Sequence, residues 1–136
     1  MLFRSLPRIS TNISVVDLEP EANPLPLFLA SLARLRTLPE DTLVLPSHGK
    51  PFKGVQERVD QLTRHHDGHF DAVVAACRAQ PCSAADLLPV LFRRQLDLHQ
   101  TTFAMGEAVA HLHALAGMGR LRGQLDADGI RRFSAT

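Results

Sequence analysis

Leu121-Arg122-Gly123-Gln124-Leu125-Asp126-Ala127-Asp128-Gly129-Ile130-Arg131-Arg132-Phe133 is the stretch whose reading decides the fold. Leu121, Gly123 and Leu125 alternate with polar residues, Asp126 to Gly129 has turn chemistry, and Ile130 to Phe133 resumes the extended pattern; together they predict a β-hairpin. Just upstream the period is helical. Met105, Ala108, Val109, Leu112, Leu115 and Ala116 share one helix face, with Thr101 or Thr102 as the expected cap and Gly117 and Gly119 as the stop. Before that, Ser83-Ala84-Ala85-Asp86 has capping-box spacing and opens a short helix through Phe92. Earlier still, Val59, Leu62, His66, Phe70, Val73 and Cys77 line one seam of a long helix from Val55 to about Ala79. Gly68 in its middle costs about 1 kcal/mol against alanine and marks a place to bend. Long helix, short helix, helix, hairpin is the order of a winged helix-turn-helix, assigned to residues 55–136.

Residues 1–54 read differently. Ile13, Val15 and Val16 form a short β-prone run between Pro7 and the pair Pro20 and Pro24. Leu25, Phe28, Leu29, Leu32 and Leu35 then make one helical stripe, with Arg34 and Arg36 turned away and Pro39 beyond its end. Leu43-Val44-Leu45 has the continuous apolar character of a strand buried on both faces, stopped by Pro46 and followed by the loop Ser47 to Gly54. One or two strands and one helix cannot close a core by themselves. The expected fold class is α+β, mainly α: a partial αβ segment over 1–54, then a three-helix domain with a hairpin.

The chain's 136 residues allow about one domain, and 45% apolar with 21% charged residues is the ordinary globular mix, which excludes wholesale disorder and fibrous repeats. The formal charge of +1 is spread evenly, which argues against a cationic nucleic-acid footprint over the whole chain. Thirteen Arg against two Lys (Lys50 and Lys53) reads as the coding bias of a GC-rich genome. Cys77 and Cys82 flank a short polar link with a proline and read as two reduced thiols. The apolar run around Leu25 to Leu35 is too short to span a membrane, and no signal-peptide pattern follows Arg4 and Arg8, so a soluble cytoplasmic protein is expected.

The orphan character of residues 1–54 finds an explanation in a resemblance. Leu6-Pro7-Arg8-Ile9-Ser10-Thr11-Asn12-Ile13-Ser14 and Thr42-Leu43-Val44-Leu45-Pro46-Ser47-His48-Gly49-Lys50-Pro51-Phe52 resemble the C-terminal portion of a metallo-β-lactamase-fold hydrolase. Helix, apolar strand, then Pro-x-His-Gly is how that fold delivers its last metal-binding histidine. The branch it is most similar to carries a winged-helix C-terminus; Arg58-Val59-Asp60-Gln61-Leu62 and His65-His66 resemble its helix start and paired histidines. The resemblance implies His48 as a metal ligand, two zinc ions in a full-length parent, and hydrolysis of an ester, thioester or lactone-type small molecule by metal-activated water.

The departure from the family is as informative. No H-x-H-x-D-H occurs in the chain; His111-x-His113 is followed by Ala114, Leu115 and Ala116. The first acidic residue, Asp17, already lies beyond the stretch that the family's bridging aspartate precedes. On this reading the chain is the C-terminal piece of a longer enzyme, binds no zinc by itself, has no catalytic residue of its own and is inactive alone. Met1 is then a mis-called start, a truncation product or a proteolytic end. A sheet segment with missing neighbours leaves open edges at Ile13–Val16 and Leu43–Leu45, which predicts a homo-oligomer.

His65, His66 and His69 invite a metal reading, since 65 and 69 are one turn apart. Their angles place His66 in the seam and the other two on its flank, so the expectation is a structural helix surface. His111 and His113 straddle the apolar face of their helix and are expected to be solvated. The recognition-helix slot from Thr101 to Met118 has Glu107 as its single charged residue and Gln100 at its edge, little to read base edges with. Arg120, Arg122, Arg131 and Arg132 against Asp126 and Asp128 allow weak backbone contact at most. The non-enzymatic alternative is therefore an assembly module before a nucleic-acid reader.

Overall fold

The structure, a computed structural model, describes residues 23–46 and 49–136. The β-prone run at Ile13–Val16 and the segment Leu6–Ser14 lie outside the described residues.

Helix α1, Pro24–Leu35, begins on a proline, which suits a first turn whose N–H groups have no intrahelical partner. It buries Leu25, Leu32 and Leu35, the stripe expected from the sequence. Leu43-Val44-Leu45 departs from the expectation of a strand buried on both faces. Val44 makes a single antiparallel bridge to Phe52 (N–H to O 2.8 and 3.1 Å), and Leu43 is 49% exposed. The bridge closes the intervening loop on itself. Its exit needs glycine: Gly54, at φ +85°, turns the chain in a left-handed step into the next helix.

Helix α2, Val55–Ala79, runs unbroken through Gly68, so the bend expected there does not interrupt it. Val55, Val59, His66, Phe70, Val73, Val74 and Cys77 are its buried side chains, and Leu62 is half-buried. The Ser83–Asp86 pairing forms reciprocally: Ser83 N–H and Oγ–H donate to Asp86 Oδ2 (2.8 and 2.7 Å), and Asp86 N–H donates to Ser83 Oγ (3.3 Å). It starts a 3-10 turn, Ala85–Leu87, that passes into the short helix α3, Leu88–Leu91.

Helix α4, Leu98–Gly117, starts earlier than expected. Asp97 is its N-cap, accepting from Gln100 N–H at 2.7 Å while the Gln100 side chain reaches back to Asp97 N–H. The hydroxyls of Thr101 and Thr102 are already inside the helix, donating to the carbonyls of Asp97 and Leu98 (2.8 and 3.1 Å). A carboxylate with a glutamine three residues on is the stronger stop for orphan N–H groups, and it takes the cap from the threonines. The earlier start leaves Leu98 87% exposed.

Gly119 (φ +71°) turns the chain out of α4 into the hairpin of β1, Leu121–Leu125, and β2, Arg131–Ala135, paired from Leu121↔Ala135 to Leu125↔Arg131. On its other side β2 meets Cys82 through a bridge at Phe133, with N–H to O distances of 2.9 and 2.8 Å. Gly123 faces Phe133, and a Cβ there would stand 2.9 Å from its ring. Leu25 of α1, Phe70 and Val73 of α2, Leu87 of the 3-10 turn, Leu112 and Leu115 of α4, and Leu121 and Phe133 of the hairpin form one core; Leu32, Leu35, Val55 and Val59 form a second between α1 and α2. Among the described residues no helix is long and apolar enough to cross a membrane.

Candidate functional site

Ser47 and His48, the candidate ligand, lie outside the described residues. Its frame is described. Val44 and Phe52 clamp the loop, and Gly49 has φ +98°, the left-handed conformation that only glycine adopts cheaply. The start of α2 is tied back to α1 and its following turn: Gln56 Nε2–H donates to the Leu38 carbonyl, and Arg36 pairs with Asp60.

Further along α2 the histidines gather, joined by one from α4. The His66 and His111 rings are 5.3 Å apart and stacked, with Nδ1 of His66 3.2 Å from Nε2 of His111. His111 Nδ1 lies 2.7 Å from the Glu107 carbonyl, which can only accept; His111 is therefore protonated on Nδ1 and bare on Nε2. His66 must then donate from Nδ1. His69 lies 5.3 Å from His111 and 4.2 Å from His65, which is 5.4 Å from His66. Phe28 from α1, Phe70, and Phe92 after α3 stand edge-on around the group.

Two expectations are corrected here. His111, expected in solvent, is 1% exposed. His65 and His69 are in ring contact rather than merely flanking the seam, and His111 completes the cluster from another helix. His113 is half-buried, 6.5 Å from the Phe133 ring, with burial and the nearby Arg131 cation holding it below the ordinary histidine range. The signal that one-face reasoning passes over is the girth of α4. Gly106, Ala108, Ala110 and Ala114 are all buried, so neighbours close on the helix from several sides.

Desolvation pushes His66, His69 and His111 down to about 4, helped by the like charge each would share with neighbouring rings. At neutral pH these three are uncharged. His69 Nδ1 is buried without a hydrogen-bond partner. Even so, among the described residues no group of three or more His, Cys, Asp or Glu side chains is placed to hold a metal ion. Cys77 and Cys82 are free and buried, and burial, with Cys82 alongside, pushes the Cys77 thiol up to about 12.

On the hairpin, two of the four arginines are already compensated. Arg132 bridges Asp126 (2.8 Å) and Asp86 (2.9 Å), and Arg120 reaches Asp71 (3.2 Å).

Residues 70–136 match the family model of the metallo-beta-lactamase-like C-terminal domain. A beta-lactamase domain protein from Burkholderia ambifaria is similar in structure, with a TM-score of 0.85 and 54% identity over 88% of this chain and 36% of its own. A metallo-beta-lactamase family protein from Thermus thermophilus matches at a TM-score of 0.68 and 30% identity, over 84% of this chain and 34% of its own. The chain thus spans about a third of the length of each of these solved relatives. No curated protein matches it.

Proposed function

From the premise that this chain belongs to the metallo-β-lactamase-like family as its C-terminal part, we propose that it serves as the C-terminal segment of a metal-dependent hydrolase. The observation that carries the reading is the 54% identity held over 88% of the chain against only 36% of the Burkholderia protein. On this reading the catalytic apparatus is divided. His48 contributes one ligand to a zinc centre whose other ligands belong to the parent, and residues 55–136 form a winged-helix-like domain whose core fixes α2, the helix that follows the His48 loop.

The described residues do not by themselves fit a metal centre. No catalytic step is assigned to them. What they supply is position: the Val44–Phe52 bridge, the left-handed Gly49 and Gly54, and the anchoring of α2 by α1 hold the loop that carries His48. The substrate class proposed for the parent is a small ester, thioester or lactone.

A chimera tests this: the Burkholderia protein with its matching third replaced by this chain, assayed with zinc on an ester, a thioester and a lactone. The reading predicts turnover of at least one substrate, lost on His48→Ala by more than the roughly 10- to 100-fold typical of an outer-shell partner, and none from this chain alone. A zinc-loaded chimera whose turnover ignores His48→Ala contradicts it.

The alternative of a nucleic-acid module is weakened by the ion pairs on the hairpin. With Arg120 and Arg132 engaged, Arg122 and Arg131 are the hairpin arginines left without an ion pair among the described residues, too few for more than a weak phosphate contact.

A further inference from the structure

We propose that the junction of α2 and α4 is a proton-responsive latch, closed while its histidines are neutral and opened by uptake of more than one proton. The geometry of one hydrogen bond sets that number. His111 gives its Nδ1–H to the Glu107 carbonyl, so its Nε2 lone pair is the acceptor for His66 Nδ1–H, 3.2 Å away. A first proton on His66 Nε2 leaves that bond in place. A second proton can enter His111 only at Nε2, where it sets two N–H donors face to face and removes the bond that joins the helices.

From α2 the facing titratable groups are His65 and His69, and from α4 the one charged residue is Glu107, whose backbone carbonyl accepts from His111 Nδ1–H. From α1 and the segment after α3 the facing groups are Phe28 and Phe92. Desolvation is the largest effect opposing a charge on His66, His69 and His111, like charge on neighbouring rings adds to it, and the hydrogen bond to the Glu107 carbonyl works the other way at His111. Burial of His66 and His111 against Phe28 and Phe70 adds the cost of desolvating any positive charge placed there.

The test is amide hydrogen exchange of the whole chain between pH 7.5 and 4.5, corrected for the intrinsic pH dependence of exchange. One proton taken up on opening changes the opening constant about tenfold per pH unit. The latch predicts a steeper rise than that in residues 62–70 and 107–115 below about pH 6, and a flatter one in His111→Gln, which cannot take the second proton. Ring titration of the unaltered protein by NMR needs no variant. It should show His66 and His111 gaining charge over the same range in which those segments lose protection. A slope of one proton or less, an unchanged slope in His111→Gln, or rings that charge while protection persists would each overturn the proposal.

Discussion

His66 on α2 and His111 on α4 share a hydrogen bond although 45 residues separate them, and that bond ties the long helix to the helix that leads into the hairpin.

Stability should fall with acid in a defined window. His66, His69 and His111 sit near 4 in the folded chain against 6.5 when unfolded. The unfolded state therefore binds more protons between those values, so stability is full above about pH 6.5 and declines as pH drops toward 4. Urea midpoints at pH 7.5, 5.5 and 4.5 check this. They should decrease in that order, and a midpoint that holds to pH 4.5 would contradict it.

Leu112 and Leu115 of α4 are fully buried in the main core, and Leu25 brings α1 into it. Each truncated to alanine should cost about 2–5 kcal/mol. Urea denaturation at neutral pH measures it, and a loss below about 1 kcal/mol for Leu25→Ala would mean that α1 does not share this core.

The start of α4 separates two candidate caps. Asp97→Ala should cost about 0.5–2 kcal/mol, because Gln100 N–H loses its acceptor. Thr101→Ala removes a hydroxyl that only back-bonds to the Asp97 carbonyl and should stay within about 0.5 kcal/mol. Equal losses for the two would contradict the assignment.

Gly123→Ala tests the hairpin's packing. The new methyl would meet the buried Phe133 ring at 2.9 Å, and displacing that ring also disturbs its bridge to Cys82. A loss of about 1–3 kcal/mol is expected by denaturation.

How far the sequence foretells this structure varies by element. The stripe of α1, the bounds of α2, the Ser83–Asp86 pairing and the hairpin follow from local periodicity and turn chemistry, which neighbours do not alter. Leu43–Leu45 shows the opposite case: its apolar run predicts a strand, but among the described residues only Phe52 offers Val44 a bridge. The cap of α4 differs from the expected one because Asp97, Thr101 and Thr102 are all plausible capping residues, and only the Asp97–Gln100 reciprocity decides among them. The histidine cluster is half-legible. His66 lies in a seam that one helix reveals, whereas the place of His111 depends on which helices surround α4, and its own sequence signals that only through small residues such as Gly106 and Ala110.

The size of the protein in cells that carry its gene tests the central claim most directly. If the chain is the C-terminal part of a metallo-β-lactamase-like hydrolase, an antibody raised against it should detect a species more than twice its 15.0 kDa, as the 36% coverage of the Burkholderia relative implies. Intact-mass measurement of the captured protein at 15.0 kDa, with no larger species, would contradict it.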